Sequence, residues 1–201
     1  MTGMRRCLLV LALPAPAFAH ELTTQYGPLL GPALHVFTEV DHLAAFAAVG
    51  LLAGQQPATA QQKVLLAFMA ALMAGMCMPF ALDGMAAFDA VERELSAISS
   101  VVVGVLVAAG LRLRTAVIAT AVATLGSVHG LANGLAIAGS TAPLPSLLGA
   151  GTAALIVAAS ATAVSLALRA GLRQGPIVVR VLGSWIAALA LMLLGLALRA
   201  Q

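Results

Sequence analysis

From residue 29 to residue 199 the chain is a succession of apolar runs separated by short polar breaks. A membrane-spanning helix needs about 20 predominantly apolar residues. Six runs fit that length: 29–54, 62–82, 95–111, 115–139, 146–168 and 177–199. The breaks fall at 55–57, 83–94, 112–114, 140–145 and 169–176. Charged residues make up 8% of the 201 positions, against about 25% in a soluble domain. So few charges cannot cover a water-facing surface. A soluble enzyme, a nucleic-acid binder and a disordered chain are thereby excluded. The abundance of small residues suits close-packed helices in lipid, where every backbone polar group must be satisfied internally. The expected fold is an all-α membrane protein of about six transmembrane helices.

The N-terminus reads as a cleaved secretory signal over 1–19. Arg5 and Arg6 form a basic region, 7–13 is a short apolar core, and Ala17-Phe18-Ala19 is an A-x-A cleavage site preceded by Pro14 and Pro16. The apolar core is too short to span. Cleavage leaves His20 as the new N-terminus outside the cytoplasm, and 20–201 as one transmembrane domain. It also removes Cys7, so Cys77 remains alone and no intramolecular disulfide can form.

Basic residues supply a second, independent orientation signal. With His20 outside, the inner segments carry Lys63, Arg112, Arg114, Arg169, Arg173 and Arg180, and the outer segments only Arg93 and Arg199. That is a positive-inside bias. The outer break at 83–94 holds Asp83, Asp89, Glu92 and Glu94, which can gather cations or simply be solvated. The expected location is a bacterial cytoplasmic membrane.

The first run contains four ionisable residues: His35, Glu39, Asp41 and His42. An ionised carboxylate at mid-span costs roughly 2.5–3.5 kcal/mol on insertion scales, so two in one helix need partners. On a continuous helix, His35, Glu39 and His42 fall within about 60° of one another, forming an H-x3-E-x2-H stripe. Asp41 lies to one side, next to His42, and can orient it or face another helix. Two imidazoles and a carboxylate on one face suit a divalent ion such as nickel, cobalt, zinc or copper. A metal-free hydrogen-bond network between helices is the competing reading.

The fourth run offers a complementary group. His129 and Asn133 stand four apart and share a helix face. Gly126, Gly130 and Gly134 form a ridge about 100° away, which reads as a surface for close helix packing. His129 sits at a depth similar to that of His35 and His42, about 9–20 Å from the outer edge, so one ion could touch both helices. In the second run, Met69, Met73 and Met76 lie on one face beside Cys77 and Met78. Such a stripe can pass a soft ion but more commonly packs adaptably, and packing is the preferred reading. The chain contains no P-loop, G-x-S-x-G or H-E-x-x-H motif.

His35-Val36-Phe37-Thr38-Glu39-Val40-Asp41-His42, followed by Gly50, resembles the H-P-x-x-G-x-D-H…G signature of the HupE/UreJ family. His129-Gly130-Leu131-Ala132-Asn133-Gly134 resembles that family's H-G-x-A-H-G signature. The resemblance covers the whole chain. It implies a small bacterial permease for nickel or cobalt, associated with urease or hydrogenase systems. It places His35, Asp41, His42 and His129 in the metal site and matches Glu94 to a family glutamate. Three positions depart: Val36 stands for Pro, Glu39 for Gly and Asn133 for the second His. The site thereby gains a carboxylate and loses an imidazole, which broadens the expected cargo to divalent transition metals.

The expected function is a secondary permease, not an enzyme. Its metal-site residues are His35, Glu39, Asp41, His42, His129 and Asn133, its cargo is Ni²⁺, Co²⁺ or a similar ion, and it has no prosthetic cofactor. Its partners are the lipid bilayer, the ion and maturation proteins of urease or hydrogenase. No nucleic acid is involved, and oligomerisation is left open. A non-transporting metal-delivery protein and an intramembrane metalloenzyme are the alternatives.

Overall fold

The computed structural model describes residues 15–82, 88, 91–111 and 113–199. Seven helices account for most of them: α1 (Ala15–Thr38), α2 (Val40–Gly54), α3 (Ala58–Ala81), α4 (Glu92–Ala109), α5 (Thr115–Ile137), α6 (Pro143–Gly171) and α7 (Gly175–Ala197). Among the described residues there is no strand. The basic region and apolar core of the expected signal, at 1–13, lie outside the described residues, as do Asp83, Asp89 and Arg112.

Four helices, α3, α5, α6 and α7, are each long and apolar enough to cross a membrane. The chain is a multi-pass helical membrane protein. The run at 95–111 forms α4, but α4 is 18 residues long and opens on Glu92, Arg93 and Glu94. By length and composition it is not among those four.

The first run departs most from expectation. It is a bent pair: the segment Gln25–Thr38 and helix α2 meet at 78°, the geometry of either a broken span, which would bring the apolar spans to five, or a re-entrant loop. Glu39 is the break, with extended backbone angles (φ −81°, ψ 114°). Its N–H still donates to the His35 carbonyl at 2.9 Å, closing α1, and its carbonyl accepts from Leu43 N–H at 3.0 Å, opening α2. The continuous H-x3-E-x2-H stripe is therefore corrected. His35 ends one helix, His42 begins another, and about 100° per residue does not carry across the break. A second kink lies at Gly27 (φ 80°) within α1, where the left-handed backbone suits glycine and Pro28 follows.

Packing follows the small residues. α3 lies along α5, α4 along α7, and α6 against α1 and α2. The ridge on α5 makes the closest approach. A Cβ built on Gly126 would fall 2.7 Å from the Phe68 carbonyl oxygen, one on Gly134 would fall 2.6 Å from that of Met76, and one on Gly130 would collide with that of Leu72. The ridge is a packing surface, as its spacing predicts. Met76 is buried in the core, and Met69 and Met73 pack partly buried against it, which matches the packing reading of that stripe. Cys77 is exposed.

Candidate metal site

The break at Glu39 sets the N-terminus of α2 beside α5, with the His42 side chain buried between them. The first N–H groups of α2 have no intrahelical acceptor, and the helix dipole makes this end favourable for a carboxylate. Asp41 occupies that first turn. Its Oδ1 accepts the His42 backbone N–H at 2.8 Å, and its Oδ2 lies 3.4 Å from His42 Nδ1. The His42 side chain then points across to α5. Its Nδ1 lies 3.2 Å from His129 Nδ1, and its Nε2 lies 2.9 Å from Asn133 Nδ2. His42, His129 and Asn133 are all buried, His129 completely.

The hydrogen bonds assign the protons. Asn133 Nδ2 also donates to the His129 carbonyl at 2.8 Å, which orients its amide. It therefore donates to His42 Nε2, and the His42 proton sits on Nδ1. That N–H points towards His129 Nδ1 and Asp41 Oδ2. His129 Nδ1 is thus an acceptor, its proton is on Nε2, and Nε2–H donates to Ser100 Oγ at 3.3 Å.

Asp41, His42 and His129 each offer one ligand atom, and the three atoms lie within 4.8 Å of one another. Ligand atoms about 2.1 Å from a common ion stand about 3–4 Å apart, so a small shift of side chains would let one ion touch all three. Two nitrogens and one oxygen suit a borderline divalent ion.

The other expected site residues border this group. The His35 ring meets that of His42 edge-on, with centroids 5.4 Å apart. Its Nδ1 is buried without a hydrogen bond, and Glu39 Oε1 is 3.8 Å from it. His35 and Glu39 are thus neighbours of the convergent group, and Asn133 holds His42 in place.

Sequence reasoning missed what α4 and the aromatic residues contribute. Ser100 bonds His129, and Ser96 donates to Glu92 Oε1 at 3.2 Å. Glu92 is close enough to interact electrostatically with His42 and Asp41. Ser96, Ser99 and Ser100 are all buried, and a run of serines in an otherwise apolar helix was the available signal. Beneath the imidazoles, Phe46 stacks on His42 (5.8 Å) and meets His129 edge-on (5.7 Å). Phe68 packs on Phe46 in turn.

The fold and this site define a multi-pass helical membrane protein with histidines and a carboxylate gathered at a broken helix. A family model described as HupE / UreJ protein matches residues 8–193. The chain belongs to the HupE/UreJ family. No curated protein and no solved structure matches it.

Proposed function

We propose that this protein is a secondary permease for a divalent transition metal, with nickel the leading candidate and cobalt next. The observation that carries this reading is the convergence of Asp41, His42 and His129 beside a helix break. Broken helices are a recurrent way for transporters to expose ion-binding groups at mid-membrane. Membership of the HupE/UreJ family supports a metal-related membrane role.

In this reading the ion approaches from the end of the bundle where Glu92 and Asp41 lie. Asp41, His42 and His129 bind it, Asn133 orients His42, and His35 and Glu39 border the path. The proton now held between His42 and its two neighbours must leave or move when the ion arrives, because a ligating nitrogen needs its lone pair. Ion entry is thereby tied to proton movement. An inward-negative potential adds about 2.3 kcal/mol per charge per 100 mV in favour of cation entry. The reading includes six spans with α4 as the short one, a cleaved signal over 1–19, and a bacterial inner membrane with the mature N-terminus outside. It also includes delivery of metal to urease or hydrogenase maturation proteins.

The test is uptake of labelled nickel by cells expressing the wild type and the His35→Ala, His42→Ala and His129→Ala variants. Loss of uptake in the His42 and His129 variants, at unchanged membrane abundance, is the expected result. Uptake equal to wild type in all three would overturn the proposal.

A further inference from the structure

At the end of the bundle opposite Glu92, two arginines share a cavity that has no part in the metal site. The cavity holds about 80 Å³ and is lined by Gln55, Gly110, Leu111, Arg169, Pro176 and Arg180. Each arginine is fixed by the C-terminus of a different helix. Arg169 Nη1 donates to the Gly54 carbonyl, at the end of α2. Arg180 Nε donates to the Ala108 carbonyl, at the end of α4, at 2.8 Å. The stem of Arg180 also lies against Gly110. A Cβ there would fall 3.0 Å from Arg180 Cδ, and Gly110 has a left-handed backbone (φ 62°).

Helix C-termini favour cations, but those bonds use only one nitrogen of each guanidinium. Neither arginine has a carboxylate within ion-pair distance among the described residues. Two planar forks with unused donors, held on one cavity, are an arrangement suited to bidentate binding of a phosphate. A third group points to more than a bare anion. Gln55 donates through Nε2 to the Val107 carbonyl at 2.9 Å, which orients its amide, and its Oε1 is buried without a hydrogen bond. That acceptor calls for a hydroxyl or ammonium donor beside the phosphate. Leu111 and Pro176 give the cavity an apolar side. This end also carries Lys63, Arg114 and Arg173, as expected of a bundle end facing anionic headgroups.

We propose that this cavity binds the phosphodiester headgroup of an anionic phospholipid. The phosphate would lie between Arg169 and Arg180, and a headgroup hydroxyl would donate to Gln55 Oε1. The lipid would tie the ends of α2, α4, α6 and α7 together.

The full chain, purified in a neutral detergent, would be titrated with phosphatidylglycerol or phosphatidylcholine and read by native mass spectrometry. The wild type is expected to retain one phosphatidylglycerol, with phosphatidylcholine bound roughly tenfold or more weakly. R169Q/R180Q should lose that preference, R169K/R180K should keep part of it, and R173Q should match wild type. Gel filtration of each variant checks that it is folded. Equal retention of both lipids by the wild type would overturn the proposal whatever the variants do. So would equal loss in R173Q, which would mean only a general attraction to basic residues. Full displacement of the lipid by millimolar inorganic phosphate would assign the cavity to a free anion and overturn the lipid assignment.

Discussion

The Nδ1 atoms of His42 and His129 lie 3.2 Å apart, although the two residues are 87 positions apart in the chain. Two imidazoles meet nitrogen to nitrogen only if one carries a proton and the other does not, or if a cation lies between them. Asn133 decides which, by donating to His42 Nε2, and the Ser100 hydroxyl is then placed to accept from His129 Nε2–H. An ion arriving beside Asp41 would take the place of that proton.

If this pair binds metal, the ion should stabilise the protein. Ni²⁺ at a hundredfold excess over its Kd adds about 2.7 kcal/mol to the folded state. This is read as a rise in Tm of the detergent-purified wild type that a chelator reverses. His42→Ala and His129→Ala should each abolish the rise. A rise that persists in both would place the ion elsewhere.

Asn133 holds His42 without contributing a ligand to the Asp41–His42–His129 group. Asn133→Ala should therefore weaken nickel binding by about 10–100-fold, the usual effect of losing a group that orients a ligand, and leave the fold intact. Isothermal titration of the purified variant measures the affinity, and gel filtration the fold. An affinity equal to wild type would remove Asn133 from the account.

Glu39 and Asp41 are two residues apart but have different roles. Asp41 lies within ligand distance of both histidines, whereas Glu39 sits at the helix break beside His35. Glu39→Gly, which restores the family signature at that position, should keep uptake within about threefold of wild type, because it removes no ligand and keeps a break-compatible residue. Asp41→Asn should reduce uptake at least about tenfold, since it removes a charged ligand. The opposite ranking in whole-cell uptake would reverse the two roles.

Much of this was legible in the sequence. The apolar runs correspond to helices, and the spacing of His129 and Asn133 puts both on the face that meets His42. The i, i+4 glycines on α5 mark where α3 approaches. The break at Glu39 was hidden because neither Gly nor Pro stands there and Glu favours helix. Its signal lay in the departure from the family signature, which has Gly where Glu39 stands. The part played by α4 was hidden for another reason. Periodicity shows which face of a helix is polar, but not which neighbour that face meets, so Ser100 could not be assigned to His129.

The α5 ridge also makes a stability prediction that does not depend on metal. Gly130→Leu would drive a side chain into the Leu72 backbone, and overpacking of this kind costs typically about 1–3 kcal/mol or more. Gly195 has open space at its Cβ position, so Gly195→Ala adds no clash and, within α7, should raise stability by up to about 1 kcal/mol. Thermal unfolding in detergent compares the two. Equal Tm values would mean that α3 and α5 do not pack through the ridge.

The most direct test of the central claim is ion flux through the purified protein alone. Proteoliposomes carrying an internal nickel-sensitive dye, with an inward-negative potential and no other protein, should show nickel entry for the wild type. His42→Ala and His129→Ala should give the rate of empty liposomes, and Arg173→Gln that of wild type. No entry through wild-type protein that still binds nickel would contradict a permease and leave a metal-delivery role. Entry equal in the wild type and both histidine variants would contradict the assignment of the site.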